Sequence, residues 1–329
     1  MMHDDLAGTS ERVLAEPGDE PNQERRILCA TDLTERSRDA ERRAALLAEQ
    51  MGAQVLFVHA VPESRIQRVR RRMFARAHMQ LLSHAERAMT HAPGNARVSV
   101  RQGSAMHAIT DAAKNWEPDL IVMARPLQRT LDLVLGTTAE RVIRATHRPV
   151  LVVNAAASHR YRNLVLATDM SDVCVCVART LISMGMLKDT YAWIVHAFHK
   201  PYRAWLGGCR AEPTAHQQQW RRALSSELLR KMSAEGVDPS RVQVVVEHAR
   251  PLDAIQKCLQ QVRPELLVVG TSRWFMLKRI LFGSVADQVL RQVDCDVLAL
   301  SPHARAPLAR ELDGREAMPL PVPDQSLSV

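Results

Sequence analysis

The sequence is poor in aromatic residues and contains no long apolar run. Phe, Trp and Tyr together make up 4% of its 329 residues, which argues against aromatic platforms that stack single-stranded nucleic acid. No stretch approaches the ~18 consecutive apolar residues that a membrane-spanning helix needs. The first residues, Met-Met-His-Asp-Asp-Leu, lack the basic and then apolar pattern of a signal peptide. These absences predict a cytosolic protein without a membrane partner, and they argue against nucleic acid as a partner.

The six cysteines are scattered, and none belongs to a Cys-x-x-Cys pair. Cys174 and Cys176 are two positions apart, so on a helix they point to different sides and make a poor pair of metal ligands. We therefore expect buried free thiols in a reducing compartment and no tightly bound metal.

The motifs of common enzyme classes are also missing. The sequence has neither the Gly-x-x-x-x-Gly-Lys-Ser/Thr phosphate loop nor a Gly-x-Gly-x-x-Gly run after a strand. It contains no Gly-x-Ser-x-Gly nucleophile turn and no paired-histidine motif. We therefore predict that the protein is not an enzyme, although slow hydrolysis of ATP by a positioned water stays open.

Basic residues are in excess, and the formal net charge is +8. Such a balance favours anionic partners such as nucleotides. Six arginines between Arg65 and Arg76 lie in a stretch, residues 63–91, whose spacing predicts a basic amphipathic helix. Its predicted apolar side consists of Ile66, Val69, Met73, Ala77 and Leu81. The arginines form either a solvated helix face or a surface for an acidic partner or nucleic acid.

One order of elements runs through the chain twice. Thr31-Asp32 matches Thr168-Asp169, and Val58-His59-Ala60 matches Val195-His196-Ala197, at an offset near 140 residues. This repetition predicts a domain that is duplicated in tandem. The predicted divisions are a flexible tail (1–24), a first domain (25–154), a second domain (160–302) and a disordered tail that contains prolines (303–329).

Each domain alternates five strands with four helices, for example a helix over Ala105–Trp116 and then a strand over Leu120–Met123, which indicates an α/β fold. Such alternation is typical of a doubly wound parallel sheet that helices cover on both faces. In open sheets of this class, ligands bind beyond the carboxyl ends of the strands, where the strand order reverses. This rule brings Asp32 or Asp169, after each first strand, next to the loop that follows each fourth strand; the alternative is that each aspartate caps the helix that follows it. We predict that His59 and His196, near the ends of the second strands, are packing or hydrogen-bonded residues, and a contact with a ligand is the alternative.

The stretch Pro264–Ser301 offers a site for an anion. Leu266–Val269 is predicted to be a buried strand, and Gly270 ends it. Ser284, after Gly283, is predicted to cap a helix whose free N–H groups and positive dipole end favour a phosphate. The alternative is a glycine loop that only connects a strand to a helix.

These motifs, in this order and at this spacing, resemble the universal stress protein family over nearly all of Arg25–Leu300, twice. The family has a Rossmann-like fold with a five-stranded parallel sheet, and many of its members bind ATP. The resemblance therefore implies ATP, with or without Mg²⁺, as a ligand. It also implies that the aspartate lies on the adenine or ribose side and that a Gly-x2-Gly-x9-Gly-Ser/Thr motif holds the phosphates. Domains of the family pair through their last strands, which implies an internal pseudo-dimer of Val150–Val153 with Val297–Leu300. A homodimer of two chains stays open.

The resemblance implies that the nucleotide binds mainly in the second domain. Arg273 occupies the place of the middle glycine, where it either crowds the phosphates or holds them by charge-assisted hydrogen bonds. In the first domain Ala124 replaces the first glycine, and Pro126 lacks an N–H donor. The implied nucleotide-binding residues are Ala167, Thr168, Asp169, Val195, Val269, Gly270, Arg273, Gly283, Ser284, Val285 and Ala286. Those of a weaker second site are Thr31, Asp32, Gly136 and Thr137.

The function that these observations favour is a tandem stress-response or signalling module that binds an adenine nucleotide and an unknown protein partner. Two alternatives stay open. One is a nucleotide-free protein-interaction scaffold of the same fold, and the other is a slow ATPase.

Overall fold

Two five-stranded parallel sheets join into one sheet in a computed structural model of the chain. The structure describes residues 25–91, 93–125, 138–168, 173–198, 215–270 and 293–300. The strands in these ranges are β1 Arg26–Ala30, β2 Gln54–Val61, β3 Ala96–Gln102, β4 Leu120–Ala124, β5 Val150–Val153, β6 Asn163–Thr168, β7 Tyr191–Phe198, β8 Val242–His248, β9 Leu266–Gly270 and β10 Asp296–Leu300. The α-helices are α1 Ser37–Met51, α2 Gln67–Ala88, α3 Ala105–Trp116, α4 Thr138–Thr146, α5 Val173–Ser183, α6 Ala215–Ala234 and α7 Pro251–Val262.

The strand order shows how the duplicated halves meet. It is β3-β2-β1-β4-β5-β10-β9-β6-β7-β8. All neighbouring strands are parallel except β5 and β10, which are antiparallel and bring Leu151 opposite Leu298. The predicted pairing of the two closing strands is therefore confirmed. Because that pair is antiparallel, the first half (β1 to β5) and the second half (β6 to β10) have their carboxyl ends at opposite edges of the sheet.

Both faces of the central strands are buried, which is why β1, β4, β5, β9 and β10 are almost entirely apolar, whereas the outer strands β3 and β8 carry exposed polar residues. Along β2, Phe57 belongs to the core on one face and Val58 to the core on the other. The first core also contains Leu81 of α2 and Leu181 of α5, so it continues from one half into the other. The second core likewise joins residues of α3, α4 and α7. The duplicated halves thus share two continuous apolar layers.

Several helix ends follow directly from the sequence. Helix α3 has the predicted bounds, and the side chain of Ser104 caps it by accepting a hydrogen bond from the amide of His107. Helix α1 ends where Gly52 takes a left-handed conformation with φ 63°, a conformation that glycine adopts without strain. Within the described ranges, no helix combines the length and the apolar character needed to cross a bilayer.

The prediction for α2 is wrong at both ends and on its apolar side. The helix spans Gln67–Ala88 rather than 63–91, because Ile66 has an extended backbone with φ −84° and ψ 108°. Ala77 and Leu81 are buried as predicted. Ile66 is 64% exposed and Val69 is 42% exposed, and no residue from Gln67 to Arg76 is buried. The first turns of α2 therefore project beyond the core that its later turns cover.

A buried carboxylate ties the two halves together. Asp296, at the start of β10, has a side chain with 0% exposure. It lies 3.2 Å from Nε of Arg43 on α1 and accepts a hydrogen bond of 2.6 Å from the hydroxyl of Tyr161. Its other oxygen accepts hydrogen bonds from the amides of Asn154 and Ala155, in the segment that joins the halves. The short segment between the two predicted domains is thus fixed by one side chain of the second half.

Candidate functional site

The predicted site residues of the second half lie side by side in the sheet. Ala167 of β6 is paired with Val195 of β7 on one side and with Val269 of β9 on the other. Thr168 and Gly270 are each one residue further along their strands, at the carboxyl edge. Because β6 and β9 are neighbours, the sheet's strand order reverses here, as expected of a binding crevice in this class of fold.

Burial limits what two of these residues can contribute. The side chains of Val195 and Val269 are 2% and 5% exposed and belong to the apolar core. A ligand at this edge would therefore meet only their backbone. Gly270, which lacks a Cβ, leaves space at the end of β9. The remaining residues predicted for the two sites lie outside the described residues: Asp169, Arg273, Gly283, Ser284, Val285, Ala286, Gly136 and Thr137.

The first half repeats this arrangement with one difference. Ala30 of β1 is paired with Val58 and Met123, so Thr31, His59 and Ala124 occupy the next level, at the carboxyl edge. Ala124 is thus the structural counterpart of Gly270, as the sequence motif predicted. A methyl group stands where the second half has only hydrogen.

Arg125, directly after Ala124, is turned toward the second half. Its Nη1 donates a hydrogen bond of 3.1 Å to the carbonyl oxygen of Val293. Its amide donates to the carbonyl oxygen of Val153, which extends the pairing of β4 with β5. This arginine therefore contributes to the contact between the halves.

The two histidines are equivalent. Nδ1 of His59 lies 2.9 Å from the carbonyl oxygen of Thr31, and Nδ1 of His196 lies 3.0 Å from that of Thr168. A carbonyl oxygen only accepts, so each Nδ1 carries the hydrogen and the neutral ring presents Nε2 as an acceptor. The prediction of hydrogen-bonded histidines is confirmed. Each one fixes the end of the first strand of its half against the second strand.

Asp32 has one oxygen committed to its own loop. Oδ1 accepts hydrogen bonds from the amide and the hydroxyl of Thr34 and from the hydroxyl of Ser37. Partial burial raises the pKa of Asp32, but the hydrogen bonds from Ser37 and Thr34 outweigh it, so the pKa lies below its ordinary value. The carboxylate is therefore ionised at neutral pH and organises the turn before α1.

This hydrogen bonding gives Asp32 a pH-dependent role in stability. A carboxyl group whose pKa is lowered by folding stabilises the protein above its unfolded pKa, and this contribution disappears as the pH falls. Asp32→Asn should therefore lower the urea midpoint at pH 7, and the difference from wild type should shrink below about pH 4. Asp111→Asn, an exposed carboxylate on α3, is the control and should change neither midpoint. An equal loss at pH 7 and pH 3 would contradict this assignment.

A buried polar cluster lies behind the carboxyl edge of the first half, and the sequence motifs did not predict it. Glu41 is 3% exposed and accepts a hydrogen bond of 2.5 Å from the hydroxyl of Thr31. Nδ1 of His84, on α2, lies 2.9 and 3.0 Å from the two oxygens of the same carboxylate. The signal was present in α1, where Ser37, Ala40, Glu41, Ala44 and Ala48 follow the spacing of one buried helix face. The cluster holds the end of β1 to both helices on that face.

A separate cavity of about 690 Å³ lies at the junction of the halves. It is lined by Ala155 and His159 of the joining segment, by α7 and by Cys295, which precedes β10. Burial and the negative charge of Asp296 raise the pKa of the Cys295 thiol to about 11, so the thiol is protonated at neutral pH. The cavity adjoins the amino ends of β9 and β10, away from the predicted nucleotide edge of that half. In the described part of the chain, no three His, Cys, Asp or Glu side chains are grouped to hold a metal.

The fold and its two edges define a tandem pair of doubly wound α/β domains. The model of the universal stress protein family matches residues 24–154 and 160–301. The chain therefore belongs to the universal stress protein family, as its motifs predicted, and it contains two copies of the family's domain.

Similar proteins agree with this classification. Universal stress protein MJ0531 from Methanocaldococcus jannaschii is 27% identical over 150 residues, which are 43% of this chain and 82% of that protein. A solved universal stress protein from Archaeoglobus fulgidus has a TM-score of 0.59 at 19% identity and covers 84% of this chain and 96% of its own. A putative universal stress protein from Pseudomonas aeruginosa has a TM-score of 0.54 at 17% identity, over 85% of this chain and 94% of its own. At these identities the structural likeness supports the fold alone.

Proposed function

We propose that the protein is a stress-response or signalling module that binds ATP or a related adenine nucleotide at the carboxyl edge of its second half. The proposal rests on the register of two neighbouring strands: β6 ends at Thr168 and β9 ends at Gly270, at the same level of the sheet. This pair flanks the crevice where strand order reverses, the usual position of a nucleotide in doubly wound sheets. Family membership supports it, because the family model matches residues 160–301, which include the motif residues of the second half.

The first half is proposed to bind nucleotide weakly or not at all. Ala124 adds a methyl group at the position of Gly270. Arg125, the cation nearest to that position in sequence, donates instead to the carbonyl oxygen of Val293. Asp32 uses one carboxylate oxygen within its own turn. The described residues thus fit a phosphate better in the second half than in the first.

Within the second half, each group has a simple role. Gly270 allows a phosphate to approach the backbone without meeting a Cβ. Nε2 of His196, the acceptor left by its bond to Thr168, is available to an N–H or O–H of the ligand. Val195 and Val269 are buried, so they offer the ligand only their backbone groups. We assign no catalytic residue, so the role is binding rather than turnover.

Nucleotide titration of the full chain tests this proposal. Saturating ATP with Mg²⁺ should raise the melting temperature by several degrees, because a ligand at 100 times its Kd adds about 2.7 kcal/mol to stability. Gly270→Val should weaken ATP binding, measured by calorimetry, by about tenfold or more, since the new side chain enters the space of the phosphate. The matched control is Ala124→Val at the equivalent position, which should leave the affinity unchanged. No melting shift at millimolar ATP would contradict the proposal and favour the nucleotide-free scaffold.

A further inference from the structure

The outer face of α2 carries an unusual set of exposed side chains. Along the helix, exposed residues at spacings of three and four form one line on the side opposite the buried Ala77 and Leu81, and the exposed Arg65, just before the helix, is counted with that line. We call this line the arginine stripe. It consists of Arg65, Arg68, Val69, Arg72, Arg76 and Met79, all of them exposed.

The arginines of the stripe have no ion-pair partner among the described residues. Some exposed arginines elsewhere do pair with a nearby carboxylate, as Arg38 does with Glu35 and Arg250 with Asp253. The sequence from Ser64 to Ala85 contains no Asp or Glu, so α2 has no local partner to offer. The stripe is therefore a concentrated positive surface without a counter-charge of its own.

Arginines near the start of α2 also destabilise the helix. Helix α2 has no acidic residue in its first turn and no side chain that caps its N-terminus. Arg68 and Arg70 instead stand at the positive end of the helix dipole, where cations are unfavourable. Local stability does not explain this choice of residues. An anionic group on the first turns would offset both the dipole and the arginine charges.

The apolar side chains of the stripe restrict which kind of partner could bind there. Val69 in the first turn is 42% exposed, Ile66 just before the helix is 64% exposed, and Met79 three turns further on is 67% exposed. A peptide that carries both carboxylates and aliphatic side chains matches this mixture. Arginine suits such a partner, because its planar guanidinium pairs with a carboxylate through two hydrogen bonds.

The chain contains such a segment in residues 1–24. This segment has seven Asp and Glu side chains, one arginine, and the aliphatic residues Leu6, Val13 and Leu14. It joins β1 at the amino edge of the first half, where the C-terminal end of α2 also lies, because α2 connects the parallel strands β2 and β3. Twenty-four residues reach up to ~80 Å when extended, whereas 22 residues of helix are about 33 Å long. The segment is thus long enough to follow α2 back to its first turn.

We propose that the arginine stripe is the docking surface of the chain's own N-terminal segment, residues 1–24. The carboxylates of the segment pair with the four stripe arginines, and its aliphatic side chains cover Val69 and Met79. This inference concerns a surface of the first half and is independent of nucleotide binding in the second.

Photo-cross-linking in the full chain tests the proposal. Met79→p-benzoylphenylalanine places a photoreactive group on the stripe, and the same replacement of Tyr191, which is 54% exposed on β7, serves as the positional control. Irradiation should link position 79, and not position 191, to peptides from residues 1–24, as identified by mass spectrometry. Arg68→Glu/Arg72→Glu should reduce the yield about fivefold or more, and 1 M salt should also reduce it, since charge pairs hold the segment. The control Arg97→Glu/Arg222→Glu reverses the charge of two exposed arginines elsewhere and should leave the yield unchanged.

Cross-linking a mixture of ¹⁵N-labelled and unlabelled chains distinguishes links within one chain from links between two chains. Links within one chain support the proposal. Links that join labelled to unlabelled chains would overturn it in favour of a second copy as the occupant. Failure to recover residues 1–24, or a yield that Arg68→Glu/Arg72→Glu does not change in a protein with wild-type circular dichroism, would also overturn it.

Discussion

Replacing Asp296 by alanine is expected to lower the free energy of unfolding by about 3–5 kcal/mol. The carboxylate has 0% exposure, and the Arg43 side chain that it pairs with is 5% exposed. Removing the carboxylate leaves that guanidinium buried without a counter-charge. It also takes an acceptor from the hydroxyl of Tyr161 and from the amides of Asn154 and Ala155. The loss should be large because each of these groups was desolvated in order to meet Asp296.

Urea unfolding followed by fluorescence and by circular dichroism measures this loss. Asp253→Ala removes an exposed carboxylate that pairs with Arg250 on the surface, so it is the matched control and should leave the midpoint unchanged within error. Tyr161→Phe removes one hydrogen bond to Asp296 and should cost about 1 kcal/mol. An Asp296→Ala protein that unfolds at the wild-type midpoint would show that Arg43 finds a new partner or reaches water.

The network around Asp296 explains why the tandem chain behaves as one sheet. Arg43 also donates a hydrogen bond of 2.7 Å to the carbonyl oxygen of His159 and stacks on the ring of Tyr161, 4.0 Å from its centre. Burial and the nearby charge of Asp296 raise the pKa of Tyr161 well above its ordinary value, which keeps its hydroxyl a donor. With the antiparallel pairing of β5 and β10, these contacts fix the halves so that their carboxyl edges face opposite ways. The proposed nucleotide site of the second half is thus kept apart from the corresponding edge of the first half.

Apolar periodicity predicted most of this fold, because it depends on burial on both faces of a sheet. The helix Ala105–Trp116 has the predicted bounds, and the strand predicted at Leu120–Met123 extends one residue further. Helix α2 departed from its prediction because an apolar period records which side of a helix faces inward, not how far the sheet extends beneath it. Ile66 and Val69 continue the period beyond the end of the core.

The polar clusters could not be predicted from local pattern. Asp296 pairs with Arg43 across 253 positions of sequence, and Glu41 pairs with His84 across 43. Only the completed fold brings these partners within hydrogen-bonding distance. For the candidate site, the rule for open α/β sheets predicted that the ends of the first and fourth strands lie together, and the register places Thr168 and Gly270 at that edge. The contribution of Asp169 and Ser284 stays a prediction, since both lie outside the described residues.

The buried pair of Glu41 and His84 is the second place where one substitution should be costly. His84→Leu leaves the Glu41 carboxylate, 3% exposed, with the Thr31 hydroxyl as its remaining hydrogen-bond donor, so we expect a loss of about 3–5 kcal/mol in unfolding free energy. Glu41→Leu leaves the buried His84 imidazole without its hydrogen-bond acceptor and should cost about 1–3 kcal/mol. Urea unfolding at pH 7 measures both.

The double variant Glu41→Leu/His84→Leu gives the sharper test. It removes both buried polar groups and replaces them with aliphatic volume between α1 and α2, so its stability should return to within about 1–2 kcal/mol of wild type. The Thr31 hydroxyl keeps one bond there, because it still accepts from the amide of Leu33. A large coupling energy between the two sites is therefore expected. If the two losses simply added, the carboxylate and the imidazole would each be stabilised by other groups, and their contact would not hold the end of β1 against the helices.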